Sequence, residues 1–185
     1  MVSMVSVCNR ALSKIGDEIT ILSMDDPSKQ ARYCKALYAE TRDMVLRSYP
    51  WRFALKRYQL APAAEKPLFG FERRFILPVD CLRVWKHEGG EPYQVEGNAV
   101  LCNESIFRFI GISRIEDSGL FDPMFVEALA LKLASELAVP LAASSSMKES
   151  LFKEYLDFVQ AARTASAMEG VQDAFVQQGW LESRW

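Results

Sequence analysis

Hydrophobic positions along the chain keep two different periods, and the changes of period divide it into three blocks. Between Val5 and Ile15, the residues Val7, Leu12 and Ile15 recur near the spacing of one helical face. Ser3 or Ser6 stands where a cap is needed and Gly16 where a helix stops. After a loop holding Asp25, Asp26 and Pro27, the positions Ala31, Cys34, Leu37, Tyr38, Thr41, Val45 and Tyr49 keep helical spacing for about six turns. Asp26 reads as the cap of this second helix with Pro27 in its first position, and Pro50 as its end, because a residue before proline is driven out of the helical region.

From Trp51 to Ile112 the chain becomes rich in aromatic and β-branched residues broken by Pro and Gly, which predicts strands. The expected segments are 52–60, 73–77, 82–87, 93–95, 99–102 and 106–112, with tight hairpin turns at Gly89-Gly90 and Gly97-Asn98. Residues 61–70, holding two prolines, read as an exposed loop.

Helical spacing returns at Asp122-Pro123, and here nearly every side is apolar: Phe125, Val126, Leu129, Leu131, Leu133, Leu137 and Ala138. Such a helix belongs in the middle of a fold. Pro140 and the run 142–146 predict a break, after which Ser145 or Ser146 caps a fourth helix. Met147, Leu151, Tyr155, Phe158 and Ala162 line its buried face, and Lys148, Glu149, Lys153, Glu154 and Asp157 its wet one. Gly170 ends regularity. The expectation is an α+β fold in which residues 1–50 and 120–169 form a helical bundle, 51–119 a small antiparallel β insertion, and 170–185 an extended C-terminal tail.

Composition narrows the function more by exclusion than by signature. At 185 residues with half of them hydrophobic, the chain suits one compact body. The net charge of −2 excludes a polycation that grips nucleic acid through counterion release. No stretch approaches the roughly 18 apolar residues of a membrane span, so no membrane partner is expected. The start lacks the pattern of a signal peptide, which predicts a product made in the cytoplasm. Cys8, Cys34, Cys81 and Cys102 never form CxxC and read as buried thiols.

Activated groups are scarce. His87 is the only histidine and reads as an exposed imidazole before a turn; HEGG is not HExxH, and neither a phosphate loop nor a dinucleotide fingerprint is present. No metal, cofactor or catalytic site is therefore expected. The acid pairs Asp25-Asp26 and Glu116-Asp117 leave open a glycoside-type reaction, because that chemistry needs only two carboxyl groups; adjacent acids in loops more often cap helices.

Charge is unevenly placed. Residues 47–86 hold nine basic residues against three acids, a local +6, while the remainder holds 13 against 21, or −8. Interleaved with Trp51, Phe53, Tyr58, Phe69, Phe71 and Phe75, this strip fits three readings: phosphate and stacking contacts to nucleic acid, the wet face of a sheet, or one of two unlike surfaces for head-to-tail self-association. At the C-terminus, Trp180 and Trp185 bracket Arg184, the residue types enriched at interface hot spots. Docking into a partner and folding back onto the chain's own helices are both open to it.

The order of motifs resembles the head-to-tail adaptors of short-tailed phages, the tail tubular protein A family. The resemblance runs along almost the whole chain, through YPWRFALKR, FILPVDCLRV, FDPMFVEALALKLASELAVPL and the closing GWLESRW. It implies a non-enzymatic structural protein of the virion tail, assembled in the host cytoplasm. Such adaptors form a ring, typically dodecameric, beneath the portal protein; the ring extends the DNA channel and presents a platform to the tail tube or nozzle protein. Carried onto this chain, the portal contacts are Trp180, Leu181, Arg184 and Trp185. Subunit or channel contacts involve Arg52, Arg73, Arg74 and Arg83, and DNA passes without specific recognition. The alternative of a different class is a virion-associated cell-wall-degrading enzyme built on a carboxylate pair.

Overall fold

A computed structural model of the chain describes residues 2–169, with side chains through 164. The order is α1 (Met4–Lys14), α2 (Lys29–Ser48), a 3-10 turn (Arg52–Ala54), β1 (Leu55–Leu60), β2 (Arg73–Ile76), β3 (Cys81–His87), β4 (Tyr93–Glu96), β5 (Ala99–Cys102), β6 (Phe107–Ser113), a second 3-10 turn (Ser118–Leu120), α3 (Pro123–Ala142) and α4 (Ser145–Glu169). The class is α+β, as the change of period predicts.

Local chemistry accounts for the helix ends, with three departures from expectation. Ser3 and Ser6 exchange side-chain-to-backbone hydrogen bonds of 2.9 and 3.1 Å in a capping box that starts α1. The cap of α2 is Ser28, whose hydroxyl accepts from the Ala31 amide, and not Asp26. The Asp26 carboxylate instead accepts from the Leu22 and Ser23 amides and closes the preceding loop. Pro140 does not end α3; it sits one turn from the end, where its missing N–H removes a single bond, and the Lys29 ammonium donates to its carbonyl at 2.7 Å. The helix stops at Ala143, which takes a left-handed conformation (φ 50°) while its amide and that of Ser144 donate back to Val139 and Ala138. Ser144, one residue before the expected cap, accepts from the Met147 amide and starts α4.

The β region forms two antiparallel sheets rather than one, in the orders β1-β6-β3 and β2-β5-β4. Gly97, with φ 58°, makes the β4–β5 hairpin as predicted. Gly89-Gly90 makes no hairpin: β3 and β4 belong to different sheets, and neither glycine has a positive φ. Residues 52–54 turn as a 3-10 segment before the strand starts, because Trp51 is pulled inward.

That inward pull builds the joint between helices and sheets. Phe125, in the first turn of α3, takes the edge of Trp51 at 5.3 Å, of Phe53 at 5.1 Å and of Phe121 at 4.8 Å. The Trp51 indole N–H donates to the Val45 carbonyl at 3.0 Å, so the ring is buried without losing its polar partner. Around this joint α1, α2 and α4 all pack on α3, whose Leu129, Leu133, Ala134 and Leu137 are wholly buried. A second, smaller core lies with the sheets: Tyr58, Phe75, Val100, Cys102, Phe107 and Phe109.

The polar groups buried among the helices include Lys132 and the Tyr38 hydroxyl. Lys132 of α3 is held by Glu136 at 2.5 Å and lies 4.7 Å from the centre of the Phe152 ring on α4. The Tyr38 hydroxyl has no hydrogen-bond partner among the described residues, and burial pushes its pKa up to about 12. Trp51→Ala is expected to lower unfolding stability by about 3–5 kcal/mol in a denaturant titration, since it empties the aromatic joint. Tyr38→Phe is expected to leave stability unchanged or raise it, because it removes a desolvated hydroxyl that gains no bond on folding; a measured loss above about 1 kcal/mol would show a partner for that hydroxyl.

Candidate functional site

The four arginines expected at subunit or channel contacts are distributed over three elements and are not gathered into one site. Arg52 is exposed in the first 3-10 turn. Arg73 and Arg74 are neighbours on β2, so their side chains leave opposite faces. Arg73 donates to the Asn103 carbonyl, and Arg74 pairs with Glu65 at 2.7 Å. Arg83, on β3, lies 5.4 Å from the centre of the Trp85 ring and donates to the Arg47 carbonyl at 3.4 Å. Three of the four are thus engaged within their own chain. Portal-contact candidates Trp180, Leu181, Arg184 and Trp185, with the whole 170–185 segment, lie outside the described residues.

The aromatic residues interleaved with the basic strip are not a stacking platform. Trp51, Tyr58 and Phe75 are buried, Phe53 packs against the helical core and Phe71 is half-buried. Phe69 is almost fully exposed. It stands with Leu68 on the loop between β1 and β2, and the two residues are 86% and 98% exposed. Together they present an exposed apolar pair at a loop tip. A second unlike surface is a groove lined by Arg47, Val79, Leu82, Arg83, Tyr93 and Val95, with apolar walls and two guanidinium groups. The sequence signalled the loop at 61–70 by its prolines, but not that Leu68 and Phe69 within it would stand almost wholly in water.

The FILPVDCLRV motif lies beside that groove, and its Asp80 has a structural task. The carboxylate accepts from Lys56 at 2.8 Å and from the Tyr58 and Ser113 hydroxyls at 3.2 Å each, tying the β2–β3 link to β1 and β6. Its hydrogen bond from Lys56 holds its pKa below the ordinary value of 3.8. Burial pushes the Tyr58 phenol up to about 12.

Three of the four acids that leave a hydrolase open, all but Glu116, are occupied locally. Asp25 pairs with Lys35 at 2.6 Å, Asp26 closes its loop, and Asp117 caps the second 3-10 turn through the Gly119 amide. His87 is not exposed as expected. Its side chain is 6% accessible, its ring stacks on Phe107 at 4.5 Å and meets Tyr93 edge-on at 5.2 Å, and its Nε2 lies 3.2 Å from Glu104 Oε2. Cys102 Sγ completes a group in which one donor atom from each residue lies within 4.8 Å of the others. Sequence reasoning sought a metal pattern next to His87 and missed this one. The available signal was Cys102-x-Glu104 at a strand end, where alternate residues share a side.

No known family matches the chain, and no curated protein matches it at a significant level. Among the described residues, no helix is long and apolar enough to cross a membrane.

Asp80 supplies the pH dependence that this region predicts. A depressed folded-state pKa adds stability that is complete above the ordinary value of 3.8 and disappears as pH falls through the folded value. Asp80→Asn is therefore expected to unfold at lower denaturant than the parent at pH 7. The gap should close as pH falls from about 4 toward 2; a gap that is constant with pH would show that the carboxylate's charge is irrelevant.

Proposed function

We propose that the chain is a non-enzymatic head-to-tail adaptor of a short-tailed phage virion. It forms a ring between the portal protein and the tail tube or nozzle protein and extends the channel for DNA. In this reading the helices from both ends of the sequence form a bundle that builds the ring wall. The β region faces neighbouring subunits, and residues 170–185 carry Trp180, Leu181, Arg184 and Trp185 to the portal.

The observation that carries the reading is the pair of unlike surfaces on one subunit. Leu68 and Phe69 stand almost fully in water on one loop, and a groove of mixed polar and apolar lining, flanked by Arg47 and Arg83, lies elsewhere. Two different patches that fit each other make a heterologous contact, the kind from which a ring is built when its rotation closes. The proposed occupant of the groove is the loop tip of the next copy. The loop tip and most of the groove both lie within residues 47–86, so the division of +6 there against −8 elsewhere lends this particular contact no charge complementarity. A near-zero total suits a channel through which DNA slides, since a uniformly basic lining would hold it by counterion release. The likeness of YPWRFALKR, FILPVDCLRV and FDPMFVEALALKLASELAVPL to phage adaptors is the second support.

The wall-degrading alternative is weakened by the caps and ion pairs that occupy Asp25, Asp26 and Asp117. Arg73 and Arg74 are better read as intramolecular ties than as ring contacts, given their partners on the same chain.

Purified chain mixed with portal rings is expected to add a layer of density in electron microscopy. Leu68→Ser with Phe69→Ser should leave helical circular dichroism unchanged and abolish the ordered layer of subunits. Removing Gln178 to Trp185 should abolish portal binding altogether. Portal rings that gain no density from the full chain would end the adaptor reading, and undiminished binding by the truncated chain would remove the tail from it.

A further inference from the structure

Three donors of different chemistry, drawn from both sheets and the link between β5 and β6, meet in one group. His87 is the last residue of β3 in one sheet, Cys102 the last of β5 in the other, and Glu104 lies two residues on, in the link to β6. Cys102 is wholly buried, and the His87 and Glu104 side chains are 6% and 20% exposed. The imidazole is clamped by the face of Phe107 and the edge of Tyr93, so its orientation is set before any ligand arrives. The carboxylate has room only because residue 89 is glycine: a Cβ there would stand 1.7 Å from Glu104 Oε1. Backbone has thus been cleared on one side of the group and aromatic rings fixed on the other.

We propose that His87, Cys102 and Glu104 bind a thiophilic divalent ion, with Zn2+ the best fit, and that the ion fastens the two sheets together. The donor set selects the metal. Imidazole nitrogen and thiolate favour Zn2+ and its transition-metal neighbours, whereas Mg2+ and Ca2+ require shells built mainly of oxygen.

The distances agree. Nitrogen and oxygen ligands about 2.0–2.2 Å from a tetrahedral zinc stand roughly 3.3–3.5 Å from each other. His87 Nε2 and Glu104 Oε2 are 3.2 Å apart. A sulfur bound at about 2.3 Å would stand roughly 3.6 Å from those atoms. Cys102 Sγ is within 4.8 Å of a donor atom of each, so the three side chains close on an ion through shifts of about 1 Å.

Binding replaces the Cys102 S–H bond by a sulfur–metal bond and releases one proton to water, with the imidazole neutral and the carboxylate ionised. Water fills the fourth position through the open recess bordered by Glu104, Glu91, Asn103 and Arg108. The benefit is structural. The core shared by the sheets is small, and domains with small cores are commonly stapled by a metal or a disulfide.

The test uses the full chain, reduced, stripped by chelator and titrated with Co2+. A thiolate-to-cobalt absorption band with one equivalent bound is expected, displaced by Zn2+ and unaffected by excess Mg2+. Cys102→Ser should abolish the band, and Cys81→Ser, at the half-buried thiol outside the group, should keep it. Glu104→Gln should weaken Co2+ affinity at least about tenfold. Gly89→Ala should weaken it while leaving all three ligands in place. Zn2+ should raise the thermal midpoint of the parent and not that of Glu104→Gln, a part-exposed position that reads the site even if Cys102→Ser unfolds. A parent chain without the cobalt–thiolate band overturns the proposal. So does a band that is lost in Cys81→Ser, or one that survives with unchanged affinity in both Gly89→Ala and Glu104→Gln.

Discussion

A helix with no polar face can be stable in water only if other elements surround it, and α3 imposes that requirement on the whole chain. Its buried residues run all the way round, from Phe125 and Val126 through Leu129, Leu131 and Leu133 to Ala138. No single partner helix covers such a surface. α1, α2 and α4 each take a sector, and the aromatic joint of Trp51, Phe53 and Phe121 closes the N-terminal end. Lys132 enters the interior with a carboxylate and an aromatic ring already in place, and Arg42 of α2, buried to the same degree, enters paired with Asp43. The sheets join this arrangement at its end, tied to α2 by Arg114 on Asp43 and by Arg47 on the Leu82 carbonyl.

This also explains, in physical terms, the motifs on which the proposed likeness to phage adaptors rests. YPWRF and FDPMF are far apart in sequence and meet as the aromatic joint; FILPVDCLRV forms the Asp80 link and borders the groove. Each motif serves the assembly of the fold before it serves any partner. A resemblance resting on such residues speaks first to architecture, and the functional reading leans instead on the exposed loop tip and groove.

Most of the architecture was legible because periodicity records burial. All four helices and six strands fall close to the spans that spacing suggests, and the Gly97 hairpin follows from its left-handed backbone. The errors share a cause: local signals were overruled by partners distant in sequence. Pro140 looks like a helix end until Lys29 reaches its carbonyl, and Gly89 looks like a turn until Glu104 is seen to need the space. His87 looks exposed because its neighbours in sequence are polar, whereas its neighbours in space are Phe107 and Tyr93. The basic strip was legible as a charge pattern, but pairing with Glu65 and with the Asn103 carbonyl is a tertiary fact that spacing does not carry.

The dependence on α3 has a consequence for the order of events at the ribosome. α1 and α2 meet α3 far more than they meet each other, and α2 ends at Ser48 whereas α3 ends at Ala142. At translation rates of roughly 5–20 residues per second, the greasy faces of the first two helices wait about 5–20 seconds for the segment that covers them. During that interval the nascent chain is a substrate for holdases. Its collapse into a finished subunit is a late event, triggered by emergence of the central helix rather than by growth from the N-terminus.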